Sequence, residues 1–182
     1  MKFFYTTFCI AALLFCQAGF CQMFITIKAT TSAGTVIQGS STLEAHADEI
    51  EILSFANSAT ACATGNCQPV LKDLAFTLDI DKSTNLLRAE MFKGLAFQKV
   101  EVSFRKTNAS FDFYKIKMEA VKITSMAEST GNGNPAIVFQ VTFAPTRIGW
   151  IFNYQNGGGG AAVPVKFGWD FSTSAEWPST SF

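Results

Sequence analysis

Few side chains here could do chemistry, and each lies in a setting that limits it. His46 is the only histidine in the chain. It sits in Glu44-Ala45-His46-Ala47-Asp48-Glu49, where a metal could draw on His46 with Glu44 or Asp48. A zinc site would want further Cys or His ligands at suitable spacing. As a general base, His46 would need a nucleophile and an orienting group. Ser40 and Ser41 are close in sequence but sit in no recognisable elbow. The segment reads as a polar loop leading into a strand. Asp79 and Asp81 flank Ile80, and carboxylates two apart on a strand share a side, as acid–base pairs require. The simpler reading makes Asp79 an exposed strand residue and sets Asp81 against a helix N-terminus. The run Gly157 to Gly160 lacks the Lys and Ser/Thr of a phosphate-binding loop and precedes a strand rather than a helix. No catalytic residue, cofactor site or metal ligand is assigned, and the chain does not read as an enzyme.

Sulfur is the other reactive element. Of five cysteines, Cys9, Cys16 and Cys21 lie in the first 21 residues. Cys62 and Cys67 lie in a loop-like stretch, Ala59-Thr60-Ala61-Cys62-Ala63-Thr64-Gly65-Asn66-Cys67. An even pair this close in an exported chain predicts a disulfide, worth roughly 2 kcal/mol through loop entropy. Two free thiols are the alternative.

Export is suggested by the N-terminus. Lys2 is the only charge before Lys28, and residues 8–15 are continuously apolar. That run is shorter than the about 20 residues needed to span a bilayer and suits the core of a secretory signal. Gly19 and Cys21 are small residues placed for a cut after Cys21. Residues 1–21 are then a signal peptide and 22–182 one domain. A cut after Ala18, or a start at Met23, are the alternatives. The chain carries 14 basic and 14 acidic residues, and losing Lys2 leaves 13 against 14. Near-neutrality argues against nucleic acid and anionic membrane as partners, and no stable membrane insertion is expected once the signal is removed.

The elements that must position these residues are mostly strands. Apolar residues alternate with polar ones at Leu74, Phe76, Leu78 and Ile80, and at Val100, Val102 and Phe104. The same holds at Tyr114, Ile116 and Met118, and at Ile137, Phe139, Val141 and Phe143. Ile148, Trp150, Phe152 and Tyr154 follow. Period-2 alternation marks half-buried strands. Phe111 and Phe113 break parity with the next run, which predicts a bulge or turn. Thr107 to Ser110, Gly131 to Pro135 and Ala144 to Thr146 read as connections. One segment differs. Residues 83–94 start on a capping residue and end Lys-Gly, as helices do. Leu86, Leu87, Ala89, Met91 and Phe92 cover most of its circumference, so it is expected to be buried on more than one side. Leu86, Leu87, Met91 and Phe92 are the candidate subunit interface; a helix plugged by its own loops is the alternative. The expectation is about eight or nine antiparallel strands, with the helix between the fourth and fifth.

The domain from Met23 to about Asp170 resembles Hcp, the haemolysin-coregulated tube protein family of the type VI secretion system. The resemblance runs through the first strand, AHADEIEILSF (45–55), LAFTLDIDKSTNLL (74–87) and VEVSFRK (100–106). It continues through FYKIKMEAVKITS (113–125), VFQVTFAPTRIGWIFN (138–153) and GWDF (168–171). Asp81-Lys82-Ser83 before the helix and the closing Gly-Trp-Asp are its most telling pieces. The resemblance implies a mainly β, two-sheet antiparallel β-barrel with one flanking α-helix. It also implies hexameric rings that stack into a hollow tube, export of the protein itself, and contact with effectors and with spike-tip or sheath proteins. Two features depart from the family. Tube subunits normally carry no signal peptide. Residues 56–69, which in the family form a loop contacting the next ring, carry the cysteine pair instead. The function read is a structural Hcp-like subunit of a type VI tube, cytoplasmic before firing. The alternative is a soluble Hcp-like protein, exported by its signal peptide to the periplasm or beyond, that acts as an effector, adhesin or binding module.

Overall fold

In the computed structural model the structure describes residues 23–61, 70–107, 109–130, 137–154 and 163–178. The leader, Cys62, Cys67, and the glycine runs at 131–135 and 157–160 lie outside these residues. Twelve strands and one α-helix are formed among the described residues. In order they are β1 (Met23–Thr30), β2 (Ile50–Ile52), β3 (Ser54–Ala56), β4 (Ala59–Thr60), β5 (Val70–Leu71), β6 (Leu74–Asp79) and α1 (Lys82–Lys93). Then come β7 (Phe97–Lys106), β8 (Tyr114–Thr130), β9 (Ile137–Ala144), β10 (Arg147–Phe152), β11 (Val165–Asp170) and β12 (Ala175–Glu176). The helix therefore falls between the sixth and seventh strands, not the fourth and fifth. The difference comes from two- and three-residue strands, which are too short to show a period.

All named pairings are antiparallel. One sheet runs β12-β11-β10-β8-β7-β1-β2, and β3, β6 and β9 form the second with the far half of β8. The pairings make a circuit, because two segments serve both sheets. The strand expected after the His46 loop is one of them. It splits at Leu53, whose N–H donates to the Thr77 carbonyl at 2.8 Å, so β2 pairs with β1 and β3 with β6.

The other shared segment is β8, 17 residues long. Its first half pairs with β7 and β10, its second with β9. The strand changes sheet at Ala120, whose φ of 49° is left-handed. Thr146, in the turn between β9 and β10, braces the bend. Its N–H donates to the Glu119 carbonyl at 3.1 Å, and its hydroxyl donates to the Ala120 carbonyl at 3.1 Å.

Between the sheets lies a core led by Phe76, Phe97, Phe139 and Phe143, all essentially inaccessible. Each contributes about 1.5–3 kcal/mol of burial. Most alternation expectations hold: Leu74, Phe76, Leu78, Val100, Val102, Ile116, Met118, Val141 and Ile148 are buried. The ends of the runs do not. Ile80 and Ile137 are open, as are Phe152 and Tyr154, because each lies at or just past the end of its strand. On β10 the outward-facing Ile151 is buried as well.

The helix begins on Asp81 rather than Ser83. The Asp81 carboxylate accepts from the Ser83 N–H at 2.8 Å, and the Thr84 hydroxyl accepts from the Asp81 N–H at 3.1 Å, closing a capping box. Gly94 ends it in the left-handed conformation. Asp79 is exposed.

Left-handed backbone costs a residue with a Cβ roughly 1 kcal/mol relative to glycine. Ala120→Gly should therefore leave stability unchanged or raise it by up to about 1 kcal/mol, whereas Ala120→Val should lower it by about 1–3 kcal/mol. Urea unfolding followed by circular dichroism reads both.

Candidate assembly surface

The outer face of the larger sheet carries charge in register. Glu101 on β7 meets Lys99 at 2.9 Å and Lys117 on β8 at 3.4 Å. Burial raises the Glu101 pKa, but the two lysines outweigh that and lower it. Arg147 on β10 bridges Glu119 at 3.2 Å and Asp170 on β11 at 2.7 Å. Asp170 also accepts from the Ser172 N–H at 2.8 Å and the Ser172 hydroxyl at 2.5 Å. The Ser172 hydroxyl and Arg147, against some burial, hold its pKa at about 2. The Asp of the Gly-Trp-Asp motif thus ties the end of β11 to β10. These pairs make the mixed charges of Glu101, Lys117 and Glu119 a cross-strand ladder.

His46 has a more enclosed setting than its loop sequence suggests. It is 7% exposed and ends a 3-10 turn over Glu44–His46. Its Nδ1 lies 2.9 Å from a Glu49 carboxylate oxygen, and its Nε2 lies 2.9 Å from Asp112 Oδ1. Asp112 is the hub. The same Oδ1 accepts from Arg105 Nε at 2.7 Å, and Oδ2 meets Lys115 Nζ at 2.8 Å. Asn153 donates to the Asp112 carbonyl at 2.7 Å. Burial pushes the Asp112 pKa up, but hydrogen bonds from Lys115, His46 and Arg105, with the Lys115 charge, hold it at about 2 against an ordinary 3.8. This cluster joins the loop before β2, the β7–β8 connection and the end of β10. Its polar atoms are consumed by one another, which is the chemistry of a structural clasp. No group of three or more His, Cys, Asp or Glu that could hold a metal occurs among the described residues.

Sequence reading missed Asp112. Its only signal is its place between Phe111 and Phe113, three residues before Lys115. Asp81 and Asp79 are separated by role: one caps the helix and the other faces solvent. Arg105 and Lys115 turn to Asp112, and Lys106 lies over the Phe113 ring at 5.4 Å.

Among the described residues, apolar side chains stand outside the core on α1 and on β10 and β11. On α1, Leu87 is buried in the subunit's own core and so is unavailable to a neighbour. Leu86 is 48% and Phe92 80% exposed, and Met91 is half-buried. A helix plugged by its own loops does not fit these exposures. Met91 and Phe92 line a groove of about 330 Å3 with Met126 and Phe139. The second surface is on β10 and β11. Trp150 stacks on Phe167 with ring centres 5.8 Å apart, and Phe152 stacks on Tyr154 at 6.4 Å. Phe152, Val165 and Phe167 are about half exposed or more.

The chain is thus a mainly β, two-sheet antiparallel fold with one flanking helix. The chain belongs to the family described as "Type VI secretion system effector, Hcp", whose model matches residues 24–152. That is a family of structural, secreted tube proteins rather than of enzymes. The Protein hcp1 of Pseudomonas aeruginosa is 23% identical over 150 residues, covering 77% of this chain and 93% of that protein. A solved type six secretion system protein superposes with a TM-score of 0.74 at 22% identity, covering 86% of this chain and 100% of that one. Hcp1 from Salmonella typhimurium gives 0.68 at 21%, covering 85% and 99%. At these identities the superpositions establish the fold.

The depressed Asp112 pKa sets a pH dependence. A folded pKa near 2 below an unfolded value near 3.8 stabilises the fold above about pH 4, and that stability is lost as pH falls toward 2. Asp112→Asn should destabilise at pH 7, with the gap to the unaltered protein closing between about pH 4 and 2. Urea midpoints across that range check it.

Proposed function

We propose that this chain is a ring-forming subunit of a type VI secretion tube, itself exported and able to accompany effectors. The observation that carries this reading is the family match across the whole circuit of strands, from β1 to the end of β10. Six copies form a ring, and rings stack. Spike-tip and sheath proteins are the further partners. Leu86, Met91 and Phe92 on α1 are candidate contacts between copies, while Leu87 serves the core. The enclosed His46–Asp112 clasp and the paired charges of the ladder favour a rigid building block over a catalyst.

A second reading rests on two features of the sequence: the leader over 1–21 and the Cys62–Cys67 pair. Both suit a protein exported by a general route and acting outside the cell as an effector, adhesin or binding module. The antiparallel pairs Ala59↔Leu71 and Thr60↔Val70 flank the segment that holds both cysteines. In the Hcp family that segment meets the next ring, so stacking is where the two readings diverge most. No helix among the described residues is long and apolar enough to cross a membrane.

Negative-stain electron microscopy of the purified protein should show hexagonal rings. A monomer at high concentration would remove the tube reading. The intact mass of protein from native cells and medium tests the second reading. A chain starting at Gln22 and two hydrogens light would favour the exported module. A start at Met1 or Met23 with free thiols would favour the tube.

A further inference from the structure

We infer that the loop over 39–49 is a proton-operated latch, which closes on the barrel only when both ring nitrogens of His46 carry a proton. The latch works within a single copy, whether or not copies form rings. The loop is tied at its own base. Gly39 N–H donates to the Asp48 carbonyl at 2.7 Å, Ser41 N–H to the Glu49 carbonyl at 3.0 Å, and Asp48 N–H to the Ser41 carbonyl at 2.9 Å. Side chains fasten it to the rest of the barrel. Asp48 meets Lys82 on α1 at 2.8 Å, but both are exposed, and such a pair contributes little. His46 is the buried fastening, and it reaches Asp112 on the β7–β8 connection.

Each ring nitrogen faces a carboxylate: Nδ1 lies 2.9 Å from Glu49 and Nε2 2.9 Å from Asp112. An ionised carboxylate only accepts, and a neutral imidazole donates from one nitrogen while the other holds a lone pair. The neutral ring therefore sets a lone pair against a carboxylate oxygen, in a buried site where the repulsion is little screened. The imidazolium donates to both. Asp112 does not relieve the clash by taking the proton. Against the opposing effect of burial, hydrogen bonds from Lys115, His46 and Arg105 hold its pKa at about 2. Arg105 on β7 and Lys115 on β8 face the ring across Asp112, at 2.7 and 2.8 Å from its carboxylate. Lys28 on β1 lines the same cleft as Glu49, and Glu44 in the same turn is exposed. Histidine ordinarily changes charge between about pH 5 and 8, so the proton that closes the latch is one that leaves as pH rises.

The latch has a surface to cover. Thr26 on β1 and Ser103 on β7 are opposite each other. Alternation points them away from the core that takes Ile25, Ile27, Val102 and Phe104. Yet Thr26 is only 2% and Ser103 8% exposed. Lys115 lies opposite Ser103 and Arg105 follows Ser103 two residues on, so the clasp stands on that same outward face. The hydroxyl of Thr26 is buried with no hydrogen-bond partner. A buried orphan hydroxyl disfavours the closed form, because water satisfies it on opening. The charged ring of His46 thus holds shut a loop that the covered face works to open, and opening returns the outer face of β1 and β7 to solvent.

Nuclear magnetic resonance of the full chain tests the latch. His46 is the only histidine, so its ring-nitrogen signals identify themselves. Hydrogen exchange at the amides of Gly39, Ser41, Asp48 and Glu49 reads loop closure, and exchange at Met118 and Val141 in the central strands reads the barrel. The ring should carry a proton on both nitrogens wherever the loop is protected. Protection at the four loop amides, relative to Met118 and Val141, should fall roughly tenfold or more between about pH 5.5 and 8. In His46→Gln, whose side chain is neutral throughout, that fall should disappear while the circular dichroism spectrum stays that of the parent. A neutral ring in a protected loop would assign the proton to Glu49 and overturn the latch. Loop protection that does not change with pH, or that changes equally in His46→Gln, would also overturn it. The ring signals and the pH series are read on the unaltered protein, so they decide the matter even where His46→Gln fails to fold.

Discussion

Everything in this fold depends on β8 belonging to two sheets. A strand of 17 residues cannot stay flat and pack both faces of so small a core. It turns at Ala120, and the turn sends Ile116 and Met118 into one sheet and Met126 into the other. Thr146 fixes the bend through its N–H and hydroxyl. This couples the short β9–β10 turn to the change of sheet, so β9 and β10 run along β8 as one bent partner. The split at Leu53 closes the circuit on the far side. These two corners let strands mostly of ten residues or fewer enclose a core rich in phenylalanine.

The corners also explain the surface. On β10 and β11 the inward side chains reach the core at Ile148, Trp150 and Trp169, whereas Phe152, Val165 and Phe167 stand open. The helix covers part of the other sheet with Leu87 and leaves Phe92 outside. The charge ladder sets Glu101 between two lysines and Arg147 between two carboxylates on the outer face of the larger sheet. The His46–Asp112 cluster clasps the loops at one end. Little of this polar chemistry is left over for a substrate, and what the surface leaves uncovered is apolar, as subunit contact requires.

Much of this was legible in the residues. Alternation located β6, β7, β8 and β9, because a half-buried strand writes its burial into period 2. Lys93 and Gly94 marked the helix end, while its start was read at Ser83, two residues past the Asp81 cap. The resemblance carried by 45–55, 74–87 and 168–171 led to the right family. The strand count and helix position were not legible, since β2 to β5 and β12 are too short to show a pattern. Ala120 gives no sign of its bend, because alanine has no preference for a left-handed backbone. His46 read as part of a polar loop because its main partner, Asp112, lies 66 positions away. Leu87 and Phe92 looked alike in a helix apolar nearly all round, and only the packing separates core from surface.

The central claim is that this barrel is one unit of a closed ring. A cryo-electron microscopy map of the assembled protein tests it most directly. The account predicts six copies around a hollow centre. A map of a closed two-fold dimer, or particles of single copies only, would contradict it.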